Sequence, residues 1–124
     1  MQMMKCLIVC ALLVVLCSCS RECSDIEFAG FKAAGEALVA AHDKVQIDDA
    51  IAKLCEEYSI LVSSRKSISK KQIIELFGQS ELLNNQNMLG YTFRVNDEVE
   101  RRVIVVMLDG NDMVKRIEFM TSVR

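Results

Sequence analysis

The stretch that decides the fold is LGYTFRVNDEVERRVIVVMLDGNDMVKRIEFMT, residues 89–121. Apolar and polar side chains alternate along 89–95 and 114–121, which is the period of two expected of a strand. A third apolar run, 102–108, lies between them. The segments NDE and DGND that separate these runs are turn-forming sequences, and Asp-Gly is among the strongest hairpin signals. The pattern predicts three strands in an antiparallel meander.

Helical patterns precede the strands. Residues 26–42 follow a potential cap at Asp25, and residues 47–62 repeat apolar side chains at steps of three and four. Residues 70–77 lie between Ser69, a good N-cap, and Gly78, which favours a helix C-terminus. Neither the helices nor the sheet can bury its apolar side alone. The sequence therefore predicts an α+β fold, with two to three N-terminal helices packed on a three-stranded antiparallel β-meander.

The middle strand is apolar on both faces. One face carries Val103, Val105 and Met107, and the other carries Ile104, Val106 and Leu108. A sheet with helices on one face usually keeps its other face polar, so both faces here need a cover. We expect the helix at 26–42 to cover the second face, because large exposed apolar patches are uncommon in monomers. The alternative is that Ile104, Val106 and Leu108 form a partner surface, including one between two copies of the chain.

The first nineteen residues, MQMMKCLIVCALLVVLCSC, have the pattern of a bacterial lipoprotein signal. Lys5 supplies a positive charge, and the apolar run at 6–16 is shorter than the roughly 20 residues that span a bilayer. Leu16-Cys17-Ser18 then places an aliphatic residue three positions before Cys19, with small residues between. The sequence predicts a signal peptide at 1–18, a lipidated tether at 19–25 beginning with lipid on Cys19, and one domain at 26–124. An uncleaved N-terminal anchor helix is the alternative.

The charge balance argues against nucleic acid as a partner. The chain has 15 basic and 17 acidic side chains, and loss of Lys5 with the signal leaves 14 basic ones and a formal charge of −3. A domain that binds nucleic acid would carry a basic excess.

Two cysteines remain beyond the lipidated one. Cys23 and Cys55 could form a disulfide in an oxidising envelope, closing a loop worth roughly 3–4 kcal/mol. The favoured alternative is that Cys55 is a small buried apolar residue and Cys23 belongs to the tether. Their spacing does not resemble a zinc site, which needs close pairs of ligands.

No residue pattern predicts catalysis. His42 lies beside Asp43, but neighbours on a helix do not face each other, and no serine or cysteine motif accompanies a second histidine. We expect no catalytic residue, no metal and no cofactor.

Four basic residues surround the start of the helix at 70–77. Arg65, Lys66, Lys70 and Lys71 could form an anion site with the backbone N–H groups there, or contact anionic lipid at a membrane surface. A solvated polar loop is the favoured alternative.

The C-terminal half resembles the SmpA/OmlA/BamE-like lipoprotein family. SKKQIIELFG, residues 69–78, is similar to that family's T-x-x-x-V-x-x-L-L-G helix, with Ser69 at the cap and Gly78 at the glycine. YTF at 91–93 resembles its first-strand aromatic element, and residues 103–119 resemble its closing hairpin. The likeness covers about 68–120, and the family-like part of the domain is about 45–124. Ser67 and Ile68 stand where the family has Gly-Met, and the chain has no proline after Gly78.

The resemblance implies an envelope lipoprotein that acts as a non-catalytic protein-binding or scaffold module. Its process would be outer-membrane protein assembly or envelope integrity, with an envelope protein as partner and the lipid as its membrane contact. Ser20 is not the aspartate that retains lipoproteins at the inner membrane, so the outer membrane is expected by analogy. The alternative is a periplasmic inhibitor or small-ligand-binding lipoprotein, similar in fold to β-lactamase-inhibitory protein.

Overall fold

A computed structural model describes residues 21–80, 87–95 and 100–123. Over these ranges the elements are β1 (Arg21–Glu22), α1 (Asp25–Ala40), α2 (Lys44–Ser63), β2 (Lys66–Ser67), α3 (Lys70–Phe77), β3 (Met88–Arg94), β4 (Glu100–Leu108) and β5 (Val114–Val123). The three helices precede a three-stranded antiparallel sheet, so the predicted α+β fold is confirmed. The turn predicted at 96–98 lies outside the described residues.

Local signals define the two long helices. Ser24, rather than the predicted Asp25, caps α1, because its hydroxyl accepts from the Glu27 N–H and the Glu27 side chain accepts from the Ser24 N–H. This reciprocal pair is a capping box. The Asp43 carboxylate accepts from the Gln46 N–H at 2.8 Å and begins α2. Only residues 41–43 connect α1 to α2, so the two helices form a helical hairpin.

The bounds of α3 are those predicted from the sequence. Ser69 and Gln72 form a second capping box at its start. Gly78 ends the helix with φ 87°, and its N–H donates to the Ile74 carbonyl at 2.8 Å. A side chain would be strained at this positive φ, which explains the glycine.

The sheet has the strand order β3-β4-β5, and its register places the large apolar side chains on one face. Tyr91 pairs with Ile104, which pairs with Phe119. Two residues along each strand, and so on the same face, Leu89 pairs with Val106, which pairs with Ile117. These residues join Phe28, Phe31 and Leu38 of α1 in one hydrophobic core.

The prediction that Ile104, Val106 and Leu108 form a partner surface is wrong. All three are at most 1% exposed and belong to the core under the helices. The expectation that the helix at 26–42 covers this face agrees with the core, in which Phe28, Phe31 and Leu38 of α1 join these three residues. The opposite face carries Val103 and Met107, both partly exposed, around a buried Val105. A strand with apolar side chains on both faces has no signal for which face turns inward.

The predicted tether at 19–25 is in part a piece of the folded domain. Arg21 and Glu22 of β1 pair in parallel with Lys66 and Ser67 of β2. The Cys23 N–H donates to the Ser67 carbonyl at 2.8 Å, and the Cys23 side chain is 3% exposed. A two-residue strand is too short to leave a periodic signal in the sequence.

Candidate functional site

Lys66 of the predicted anion site already has an acidic partner. The Lys66 Nζ lies 3.2 Å from Glu27 Oε2. The pKa of Glu27 is lowered mainly by the cap hydrogen bond from the Ser24 N–H and also by the contact with Lys66. Arg65 lies in the turn after α2, with φ 57°. Glu27 and Lys66 thus join the first turn of α1 to β2 rather than leaving the lysine for an anion.

The N-terminus of α3 is also occupied. The Lys70 N–H donates to the Asp112 carbonyl at 2.8 Å, and the Gln72 N–H donates to the Ser69 hydroxyl at 3.2 Å. Lys70 and Lys71 line a hollow that also includes acidic residues: Glu22, Glu75 and Asp112. These contacts argue against the predicted anion site, because the Lys70 and Gln72 amides and the Lys66 ammonium are engaged and acidic residues share the hollow.

The two cysteines are placed opposite to prediction, and no disulfide joins them. Both thiols are free, with Cys23 buried and Cys55 exposed. Burial raises the pKa of the Cys23 thiol, which lies 3.6 Å from Gln72 Oε1. Gln72 Nε2 donates to the Cys23 carbonyl at 3.0 Å, so the pair joins α3 to the N-terminal segment. Cys19 lies outside the described residues, and its lipidation stays a prediction.

Two further observations concern the described ranges only. No three histidine, cysteine, aspartate or glutamate side chains there are grouped so that they could hold a metal ion. No helix in these ranges combines the length and the apolar character that a membrane crossing requires.

An open groove with a volume of about 660 Å³ runs between α1 and α2. The described residues that line its α1 side are Gly30, Ala33, Ala34, Ala37, Ala40 and Ala41. On the α2 side, Ala50 lies among the polar side chains of Gln46, Asp49, Lys53 and Glu57, with His42 at the end of the groove. No side chain on the α1 wall is larger than a methyl group.

The spacing of the small residues explains the groove. Positions 30, 33, 37 and 40 follow steps of three and four, which place them along one side of α1. Phe28, Phe31 and Leu38 take the core side of the same helix. An amphipathic helix normally presents long polar side chains outward, whereas this one presents glycine and alanine beside α2. The surface between the helices is therefore concave and apolar.

Glu57 sets the charged rim of the groove. Its Oε1 lies 3.5 Å from Lys53 Nζ, one turn earlier on α2. A Cβ atom at position 30 would overlap the Glu57 carboxylate, so glycine at that position lets the carboxylate lie against α1.

The apolar character continues beyond one end of the groove. Ile26 lies one helical turn before Gly30 on α1 and is 89% exposed. Ile60 lies one turn after Glu57 on α2 and is 51% exposed.

Comparison of the chain with family models, with curated proteins and with solved structures finds no match. The geometry of the groove is therefore the guide to function. A small-molecule site usually encloses most of its ligand, whereas this groove is open along the helices. Its lining offers apolar contact between charged residues of both signs, which suits a macromolecular segment better than a small metabolite.

This groove was not predicted from the sequence, because the prediction for α1 rested only on its large apolar side chains. The signal was present in AGFKAAGEALVAA, residues 29–41, where small residues repeat at helical spacing opposite the phenylalanines. No comparable local signal indicates that α2 lies beside these small residues, because helix pairing depends on contacts between residues far apart in sequence.

Proposed function

We propose that this chain is a lipid-anchored, non-catalytic binding module of the bacterial cell envelope, and that its α1–α2 groove holds an apolar helix of an envelope protein. The observation that carries the proposal is the groove itself, an apolar hollow of about 660 Å³ walled on one side only by glycine and alanine.

Small side chains favour a helix as the bound segment. Helices pack when ridges of side chains on one fill grooves on the other, and small residues allow the closest approach. A third helix could place larger apolar side chains against Ala33 and Ala37 and extend the helical hairpin. Asp49, Lys53 and Glu57 would flank it and favour one orientation by charge.

The cellular setting comes from the sequence. Leu16-Cys17-Ser18-Cys19 supports lipid anchoring, and the likeness over 68–120 supports a role in outer-membrane protein assembly or envelope integrity. An anchored module at the outer membrane would meet its partner at the bilayer surface.

A photo-crosslinking residue at position 37 tests the groove in intact cells. Ala37 is exposed within the groove, and Ala52 is exposed on α2 outside its described lining, so position 52 is the matched control. We expect a crosslink to one envelope protein from position 37 and none from 52. Ala33→Glu should abolish the crosslink, because it introduces a charge into the apolar wall.

Equal crosslinking from both positions, or none from 37, would contradict the groove as the binding site. A crosslink to a single periplasmic enzyme that loses activity on binding would instead support the inhibitor alternative.

Labelling with palmitate tests the anchor independently. Cys19→Ala should prevent incorporation, whereas Cys17→Ala should retain it, because alanine is also small enough for that position before the cleavage site. Equal labelling of the wild type and Cys19→Ala would overturn the anchor.

A further inference from the structure

The distance along the chain between the predicted lipid and the folded domain is very short. Only Ser20 separates Cys19 from Arg21, the first residue of β1. An extended chain spans at most about 3.6 Å per residue, so the Cα atoms of Cys19 and Arg21 lie within about 7 Å of each other. The start of β1 therefore has to lie close to any bilayer that holds the lipid.

Two contacts show which elements share the end of the molecule that carries β1. The Arg21 N–H donates to the Arg65 carbonyl at 3.3 Å, which places the turn after α2 beside β1. The ion pair between Lys66 and Glu27 places the first turn of α1 at the same end. The start of α1 and the end of α2 thus lie close to the predicted anchor.

This end exposes apolar side chains beside positive ones. Ile26 in the first turn of α1 is 89% exposed, and Val62 in the last turn of α2 is 54% exposed. Arg21 and Arg65 are exposed as well. Of the nearby acids, Glu27 is paired with Lys66, and strand alternation turns Glu22 away from Arg21. Asp25 is the remaining acidic residue of that turn.

We propose that these four residues, Arg21, Ile26, Val62 and Arg65, form an anchor face that lies directly on the bilayer. Ile26 and Val62 enter the boundary between headgroups and acyl chains, and the two arginines contact lipid phosphates. The proposal rests on lipidation of Cys19. It sets the orientation of the domain, because the anchor face lies at the start of α1, and the 16 residues of α1 extend about 24 Å from that start to its far end.

Tryptophan fluorescence tests this orientation, because the chain contains no tryptophan of its own. Ile26→Trp introduces a probe at the anchor face, and Val45→Trp introduces a matched probe at the far end, where the side chain is 69% exposed. Each full chain is produced in bacteria, and its mass is measured for lipid on Cys19. It is then placed in vesicles of phosphatidylethanolamine with a minor fraction of phosphatidylglycerol and brominated acyl chains.

We expect brominated lipid to quench the probe at position 26 at least about twofold more strongly than the probe at position 45. Val62→Trp should behave like Ile26→Trp, which guards against a local effect of one substitution. Arg21→Gln combined with Arg65→Gln should reduce quenching at position 26.

Equal quenching at positions 26 and 45 in lipidated chains would overturn the anchor face while leaving the lipid anchor intact. Chains whose mass shows no lipid on Cys19 would overturn the anchoring proposal, and the anchor face with it. The mass and the quenching thus separate the two failures.

Discussion

Two glycines of α1 are in close contact with other helices. A Cβ atom at Gly30 would overlap the carboxylate of Glu57 on α2, and one at Gly35 would overlap the side chain of Leu76 on α3. Each glycine weakens an isolated helix by about 1 kcal/mol relative to alanine. At Gly35 that cost is offset, because the glycine lets Leu76 of α3 pack against α1.

Gly35→Ala and Gly30→Ala should have opposite consequences for stability. At position 35 the branched Cγ of Leu76 lies 2.8 Å from the new Cβ, so we expect a loss of about 1–3 kcal/mol from overpacking. At position 30 the flexible Glu57 side chain can swing away, and we expect a change between zero and a gain of about 1 kcal/mol. Urea unfolding of both variants measures the difference. A Gly35→Ala variant more stable than the wild type would contradict the close packing of α1 on α3.

Among the elements, β4 contributes side chains to both faces of the sheet. One face packs on the helices, and the other carries partly exposed side chains in the described part of the chain. Val106 is 0% exposed in the core, and Val103 is partly exposed on the opposite side of the same strand. The two valines therefore compare the faces with side-chain chemistry held constant.

Val106→Ala should cost about 2–3 kcal/mol of unfolding free energy, because it removes two buried methyl groups and leaves a cavity. Val103→Ala should cost less than about 1 kcal/mol, because its side chain keeps contact with water in the folded state. Thermal or urea unfolding distinguishes them. Similar losses for the two variants would show that both faces are covered in the folded chain.

An ion pair joins α2 to β4. Arg102 Nε donates to Asp48 Oδ1 at 2.9 Å, and the same guanidinium contacts Glu100. The hydrogen bond from Arg102 is the main cause that lowers the pKa of Asp48 below its usual value. Because Asp48 is 44% exposed, solvent screens the pair, and its contribution to stability is about 0.2–1 kcal/mol.

This pair should make part of the stability depend on pH. The pKa of Asp48 is lower in the folded state than in the unfolded state, so its contribution is present above about pH 4 and is lost as the pH falls through the folded pKa. We expect Asp48→Asn to be less stable than the wild type at pH 7 and to approach it near pH 2–3. Asp49→Asn, next in sequence and exposed at the groove, is the control in urea unfolding. A constant difference between Asp48→Asn and wild type at both pH values would contradict this role.

How well each element could be predicted depends on how local its determinants are. The bounds of α3 were predicted correctly because Ser69 and Gly78, directly at its ends, determine them. Whether Ile104, Val106 and Leu108 face the core or a partner could not be predicted, because the six apolar residues of β4 leave neither face of the strand polar. Only one wall of the groove has a signal in the sequence. The small residues of α1 repeat at helical spacing, but nothing in the sequence indicates that α2 lies beside them.

At the scale of the whole molecule, residues 21–23 pack as part of the folded domain. Cys23 is buried between β2 and α3, where it contacts Ser67 and Gln72. This contact pairs positions more than forty residues apart, which explains why the sequence indicated a loose tether and placed the buried cysteine at position 55.

Alkylation with iodoacetamide should therefore reach the two thiols at different rates. We expect Cys55, which is exposed, to react in the folded protein, and Cys23 to react only when the N-terminal segment opens. Peptide mass spectrometry at increasing urea concentration follows both sites, with Cys55→Ser as the control for assignment. Equal rates in the absence of urea would mean that β1 is detached from the folded domain.

The short distance from Cys19 to β1 also has a consequence for turnover. Proteases cut exposed, flexible segments, and many surface proteins are shed by a single cut in such a linker. Here one residue separates the predicted anchor from a strand whose backbone is hydrogen-bonded to β2. A folded, lipidated chain would offer no cleavable stalk, so its release from the membrane would require unfolding of the domain first.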